Sequence, residues 1–263
     1  MERATGDPSM VAEDAQAYLP ARPSTARLDA GDVVLRHFPH SLHYWYGSAT
    51  RPRFSDSTVD RRVAEVRDWF REHGRHEFMW MVGDSATPSG LADRLLASGA
   101  RWDEDPDGEA MILDHEPPPG PPGIVIRRIE TLTDYAASMR IALEDAGPEE
   151  WAKTEAGLEA AWAEARTDDQ MYSFLAVEAG EPIGFAQLVW LTNGLPYLGG
   201  AATLRAARGR GAFRALVRVR WDEAAARATP LLLVQAGRMS APILEGLGFR
   251  TVGHYHILVD TTR

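Results

Sequence analysis

The sequence contains no cysteine, which excludes disulfides, thiolate metal centres and cysteine nucleophiles and leaves packing to stabilise the fold. It has no apolar run as long as a membrane-spanning helix, and its first residues, MERATGDPSMVAEDAQAYLP, lack the apolar core of a signal peptide. A cytoplasmic protein is expected. Positive charge is scarce: 28 Lys and Arg stand against 38 Asp and Glu, a formal net charge of -10. Binding to nucleic acid or anionic lipid draws most of its affinity from neutralising phosphates. The charge balance therefore argues against nucleic acid and membrane partners and suits an amine-bearing substrate. The 44% of hydrophobic residues among 263 are ample for one large domain or two small ones.

A run of prolines and glycines, Glu116 to Gly123, cannot continue a helix or a central strand and divides the chain. The expected organisation is a weakly structured segment 1–31, a first block 32–116, a linker 117–123 and a second block 124–263. In the first block the pattern predicts strands near Val33–His37, Leu42–Tyr46 and Phe78–Val82, helices over Thr58–His73 and Ser89–Ser98, and a closing strand Met111–Asp114. In the second it predicts a strand Ile124–Ile129 and helices Leu132–Glu144 and Pro148–Ala165. Strands Tyr172–Val177, Ile183–Leu191 and Tyr197–Leu204 follow, the last two joined by the hairpin signal Asn193-Gly194.

A helix Gly211–Ala226, burying Phe213, Leu216, Val217 and Ala224, then crosses over to a parallel strand Leu231–Val234. A short helix Ala241–Leu247 and a strand Phe249–Asp260 end the block. The succession of strand, helix, glycine and strand over Phe78–Asp114 echoes Leu231–Asp260, which reads as a faint internal repeat.

The most specific feature is the stretch GGAATLRAARGRGAFRALVRVR, in which a strand runs through Arg208-Gly209-Arg210-Gly211 into a helix. Glycines let the backbone approach a ligand, and the unpaired N–H groups of a first helical turn attract an anion. A dinucleotide fingerprint fits less well, because Arg214 stands where its third glycine belongs. A tight turn with no ligand is the plain alternative.

Three antiparallel strands, this turn, a helix, a strand and a short helix closing on Leu247-Gly248-Phe249 form an ordered set. The set resembles the GNAT superfamily of acyl-CoA-dependent N-acyltransferases. Arg208 and Gly211 match the family's turn, and Gly248-Phe249 its late signature, whereas Phe213 stands where the family has a small residue. The resemblance implies an α+β fold, a mixed and mostly antiparallel sheet flanked by helices, here in two similar blocks of which the first is a degenerate copy. It implies acetyl-CoA as acyl donor, with the pantetheine arm along Ala202, Thr203 and Leu204. The cofactor turn would be Arg208, Gly209, Arg210, Gly211, Ala212 and Phe213. It implies transfer to a primary amine of a small molecule or peptide, in a protein free to form a homodimer.

By the same resemblance, a main-chain N–H within Gly200 to Ala202 stabilises the oxyanion, and Gly199-Gly200 suits a bulge there. The family's acid, a tyrosine four residues before the Gly of Gly-Phe, is replaced by Leu244. Ser240, Tyr255 and His254 are then the candidate catalytic groups, Ser240 being placed equally well to cap its helix, and His254 and His256 sharing one strand face. Gln187 and Tyr197 are candidates to face the substrate pocket. Loss of the acid also leaves open a non-catalytic acyl-CoA binder.

Three other groups carry weaker signals. His37, His40 and His43 are spaced by three, but Pro39 argues against a helix, and no metal is expected. Arg210, Arg214 and Arg218 form a stripe from which one side chain could reach the 3′-phosphate of coenzyme A. Glu149, Glu150 and Trp151 open a helix near the family's acceptor site, where the carboxylates suit an amine as well as a helix dipole.

Overall fold

The structure, a computed structural model, describes residues 6–39 and 46–262. The chain opens with helix α1 (Pro8–Glu13), started by Asp7, whose carboxylate accepts from the Ser9 N–H. Strands β1 (Ala26–Asp29), β2 (Val34–His37) and β3 (Gly47–Thr50) follow. Helix α2 (Val59–Glu72) buries Val59, Val63, Val66 and Phe70, the spacing of one helical face. Then come β4 (Glu77–Gly83), α3 (Leu91–Ala97) and the long β5 (Arg101–Leu113).

Beyond the proline-rich segment lie β6 (Ile124–Arg128), α4 (Leu132–Ala142) and α5 (Pro148–Ala165). The Thr131 hydroxyl caps α4 by accepting from the Asp134 N–H, while α5 starts on a proline followed by Glu149 and Glu150 at its positive end. Strands β7 (Met171–Glu178), β8 (Glu181–Trp190) and β9 (Pro196–Thr203) lead to α6 (Ala212–Ala226). The chain ends with β10 (Leu232–Gly237), α7 (Ala241–Glu245) and β11 (Arg250–Thr261).

The chain forms two compact units. One takes the residues up to Ile112 together with Val234–Gly246 and the chain from Arg250 on; the other takes Leu113–Leu233 and Leu247–Phe249. In the first unit the strand order is β1-β2-β3-β4-β11-β5. β11 pairs antiparallel with β4 on one side and with β5 on the other. Helices α2 and α3 pack on the face lined by Phe78, Trp80 and Leu258; Met79, Met81, Tyr255 and Ile257 cluster separately. Asp260, 1% exposed, accepts from Arg67 Nε at 3.0 Å and from Trp80 Nε1 at 2.9 Å, which ties β11 to α2 and β4.

In the second unit β6, β7, β8 and β9 form an antiparallel series, and β10 starts parallel to β9 with Leu233 opposite Tyr197. Helix α4 packs on a core of Ile129, Ile141, Leu175, Val177 and Phe185.

Several expectations change. The segment expected to be weakly structured holds α1, and Val11, Ala12, Ala15 and Ala17 are buried. The closing strand expected from Met111 begins ten residues earlier at Arg101, because β11 pairs along it; the ladder is irregular between Asp107 and Trp102, around Pro106. Residues 124–263 do not form one compact body, since β11 and α7 fall in the first unit. The proline run is not a free linker. A Cβ on Gly120 would lie 2.8 Å from Ala215 Cβ, and Arg218 Nη1 donates to the Pro117 carbonyl at 3.3 Å, so the run lies along α6. The expected strand near Leu42–Tyr46, together with His40 and His43, falls almost entirely outside the described residues.

Candidate active site

The segment that the sequence marked forms a strand, a turn and a helix start with an unusual surplus of donors. β9 ends at Thr203, a short 3-10 turn occupies Arg205–Ala207, and Gly211 precedes α6. Gly209 has φ +77° and Gly211 φ +89°, left-handed conformations that cost other residues strain. No side chain caps α6, and among the described residues no hydrogen bond takes the main-chain N–H of Gly209 through Arg214. Those groups are free to meet an anion, aided by the helix dipole.

β9 adds a second open surface. Its pairing with β10 is described at one position, Leu233 with Tyr197, although β9 continues to Thr203. From Leu198 onward its ladder runs with β8 alone, leaving the other edge open to an extended ligand.

That ladder also contains the expected bulge. It steps from Ala186 opposite Ala201 to Leu188 opposite Leu198, so Gly199 and Gly200 together face Gln187. The Gln187 side chain lies against this pair, with Oε1 3.6 Å from the Cβ position of Gly200, while Tyr197 is buried.

Next to the turn, a cleft of about 330 Å³ is lined by the end of α4, the start of α5, Ala202, Thr203 and Arg208. Its wall includes Glu144, Asp145 and Glu150. The Glu144 carboxylate accepts from the Arg205 main-chain N–H at 2.9 Å, and Asp145 pairs with the Arg205 guanidinium at 2.7 Å. No ion pair is described for Glu150. Of the arginine stripe, Arg210 binds Glu178 at 2.7 Å and Arg218 binds Glu116 and Asp222. Arg214 is left over: its Nη2 lies 3.6 Å from the Cβ position of Gly211, and its Nε is buried without a partner.

Residues 136–238 match the model of the acetyltransferase (GNAT) family. The chain carries a GNAT acetyltransferase domain. Solved structures extend the likeness in fold over both units. A GCN5-related N-acetyltransferase from Kribbella flavida is 17% identical with a TM-score of 0.69, covering 98% of this chain and 96% of that one. A tandem GNAT protein from the clavulanic acid biosynthesis pathway, solved without AcCoA, is 18% identical with a TM-score of 0.61, covering 100% and 90%. A GCN5-related N-acetyltransferase from Sphaerobacter thermophilus is 20% identical with a TM-score of 0.61, covering 90% and 82%. No curated protein matches the chain.

Within the GNAT domain, the cofactor residues named from the sequence, Ala202 through Phe213, share one unit and one continuous segment. Ser240, His254 and Tyr255 lie in the other unit. The Ser240 hydroxyl donates to the Gly237 carbonyl at 3.1 Å and makes no cap bond, which corrects the capping role expected for it. His254 is exposed, with Nδ1 3.4 Å from Asp84; His256, on the same face, has Nδ1 2.8 Å from Asp107. The Tyr255 ring is 6% exposed and covers Gly108, where a Cβ would overlap it. Leu244 is buried at 1% exposure. Phe213 is half-buried rather than buried. Arg220 instead takes a core position on α6, hidden from a sequence reading by its place in a charged run.

Among the described residues no helix is long and apolar enough to cross a membrane, and no cluster of three or more His, Asp or Glu suits a metal ion.

Proposed function

We propose that this protein is an N-acetyltransferase that moves the acetyl group of acetyl-CoA to a primary amine of a small molecule or peptide, by direct attack in a ternary complex. One observation carries the reading: among the described residues, a strand edge with no pairing beyond Leu198 leads through one 3-10 turn into a glycine turn whose N–H groups take no hydrogen bond. The edge suits the amides of a pantetheine arm along Ala202, Thr203 and Leu204. The N–H groups of Gly209 through Phe213, with Arg208 and Arg210 flanking them, suit a pyrophosphate. Arg214 supplies the free guanidinium for a further phosphate.

The acidic cleft beside Ala202 and Thr203 suits the acceptor. Glu144 and Asp145 are already engaged by Arg205, so Glu150 is the carboxylate best able to attract an amine. The amine nitrogen attacks the thioester carbonyl carbon, the new C–N bond places negative charge on the oxygen, and a main-chain N–H within Gly200 to Ala202, beside the bulge, receives it. Breaking the C–S bond releases the thiolate, which takes up the proton the amine loses. A coenzyme thiol resembling cysteine, with a pKa of about 8.5, leaves with moderate ease even where Leu244 offers no proton. With the Ser240 hydroxyl committed to Gly237, the step asks for no side-chain proton donor.

The first unit supports the idea of a degenerate copy. At the start of α2 the N–H groups of Thr58 and Val59 both donate to the Ser55 carbonyl, so the two donors leading into that helix are taken, unlike those leading into α6. A second reading, a non-catalytic acyl-CoA binder, is favoured by Leu244.

Thiol release from acetyl-CoA over a panel of amines, peptides and aminated antibiotics tests the proposal. Turnover with at least one acceptor is expected. Saturable acetyl-CoA binding without thiol release across the whole panel would select the binder.

A further inference from the structure

The carbonyl of Gln187, the residue opposite the Gly199–Gly200 bulge, is held by a side chain from α6. It accepts from Arg220 Nη1 at 3.2 Å, and Arg220 Nε donates to the Leu216 carbonyl at 2.8 Å. Arg220 is 1% exposed, its Nη2 is buried without a partner, and no carboxylate pairs with it among the described residues. Burial lowers its pKa to about 9.

A cation held this way opposes folding unless something is gained from it, and a leucine or methionine would fill the same space without that cost. Packing alone does not call for a guanidinium here. What the guanidinium adds is a fixed link between the turn-bearing helix and the backbone opposite the bulge. Its centre also lies 5.9 Å from the ring of Phe213, in the first turn of α6.

We propose that Arg220 is a positioning residue for acyl transfer: by tying the Gln187 carbonyl to α6 it fixes the bulge at Gly199–Gly200, and with it the main-chain N–H that receives the thioester oxygen. The inference rests on the acetyltransferase reading and deepens it. Arg220 touches no substrate. It acts through the geometry of β8 and β9.

The test is the carbonyl stretch of acetyl-CoA, isotopically labelled at the thioester carbon, bound to the full chain and read by infrared difference spectroscopy. The wild-type protein should shift the band to lower frequency, as a hydrogen-bonded carbonyl requires. Arg220→Met should lose most of that shift while acetyl-CoA affinity changes by less than about threefold, because the phosphate contacts are untouched. Arg220→Lys, which keeps the charge and reaches fewer carbonyls, should give an intermediate shift.

A full wild-type shift in Arg220→Met overturns the proposal, as does a loss of shift and affinity in parallel, which would mean general loosening. Where Arg220→Met does not fold, Arg220→Lys decides alone: an intermediate shift supports the role and a wild-type shift overturns it. A wild-type protein that binds acetyl-CoA with no band shift overturns the Arg220 role and leaves cofactor binding standing. One that does not bind acetyl-CoA removes both.

Discussion

Replacing Gly209 and Gly211 by alanine, one at a time, should separate ligand binding from folding. Both residues have positive φ, so each alanine carries a left-handed penalty of about 1–2 kcal/mol. Their surroundings differ. A Cβ on Gly209 meets nothing within 4 Å, whereas one on Gly211 falls 2.9 Å from Pro121 Cγ and 3.2 Å from its Cδ. Overpacking against that rigid ring adds roughly 1–3 kcal/mol. Gly211→Ala should therefore lose the larger share of stability in urea denaturation.

Gly209→Ala should lose affinity instead, because its methyl group enters the open space through which a pyrophosphate approaches the turn. Displacing one charge-assisted hydrogen bond costs roughly 1.5–3 kcal/mol, about 10- to 100-fold in the Kd of acetyl-CoA measured by calorimetry. Wild-type affinity in Gly209→Ala would refute the placement of the phosphates at this turn. Equal stability of the two variants would refute the packing of Pro121 on it.

Two further outcomes concern the first unit. Burial raises the Asp14 pKa from 3.8 to about 6, outweighing the attraction of Arg53, with Glu13 adding repulsion; burial and the nearby Arg75 and His73 lower that of His37 from 6.5 to about 4. The folded state thus holds an Asp14 proton that the unfolded chain has lost, so this group's contribution, worth roughly 3 kcal/mol, fades as pH rises through its window. The His37 contribution grows with pH over nearly the same range, and Asp14→Asn should leave it uncovered: urea stability should rise from pH 4 to 6.5 more steeply than in wild type, an unchanged slope counting against the assignment. Arg67→Met strands the buried Asp260 carboxylate and should cost about 3–5 kcal/mol in the same assay; a loss below about 1 kcal/mol would mean the pair does not anchor β11.

Much of the site was legible in the sequence because its signals are local. The glycine turn, the Asn193-Gly194 hairpin and the crossover from β9 through α6 to β10 all rest on residues close in sequence, and the Gly199-Gly200 pair marked the bulge. What escaped depends on distant partners. Helix α1 spans too few residues for a periodic signal, and its burial of Glu13 runs against what a charged residue suggests. The acidic stretch Asp103 to Asp107, with Pro106 inside it, reads as a loop and becomes a strand only because β11 lies beside it. The placement of β11 itself, in the unit formed mostly by the first half of the chain, is a non-local choice no periodicity reports. Arg220 stands two residues beyond the stripe of Arg210, Arg214 and Arg218 with no local signal to set it apart, yet the helix turns it inward.

If the β9 edge and the α6 start together receive an acyl-CoA, a calorimetric titration of acetyl-CoA into the full chain will show it. Saturable binding of one acetyl-CoA per chain is expected, since among the described residues the N–H groups leading into α6 take no hydrogen bond while those leading into α2 are taken. No saturable heat up to millimolar acetyl-CoA, or binding that persists unchanged when Gly211 is replaced by valine, would contradict it.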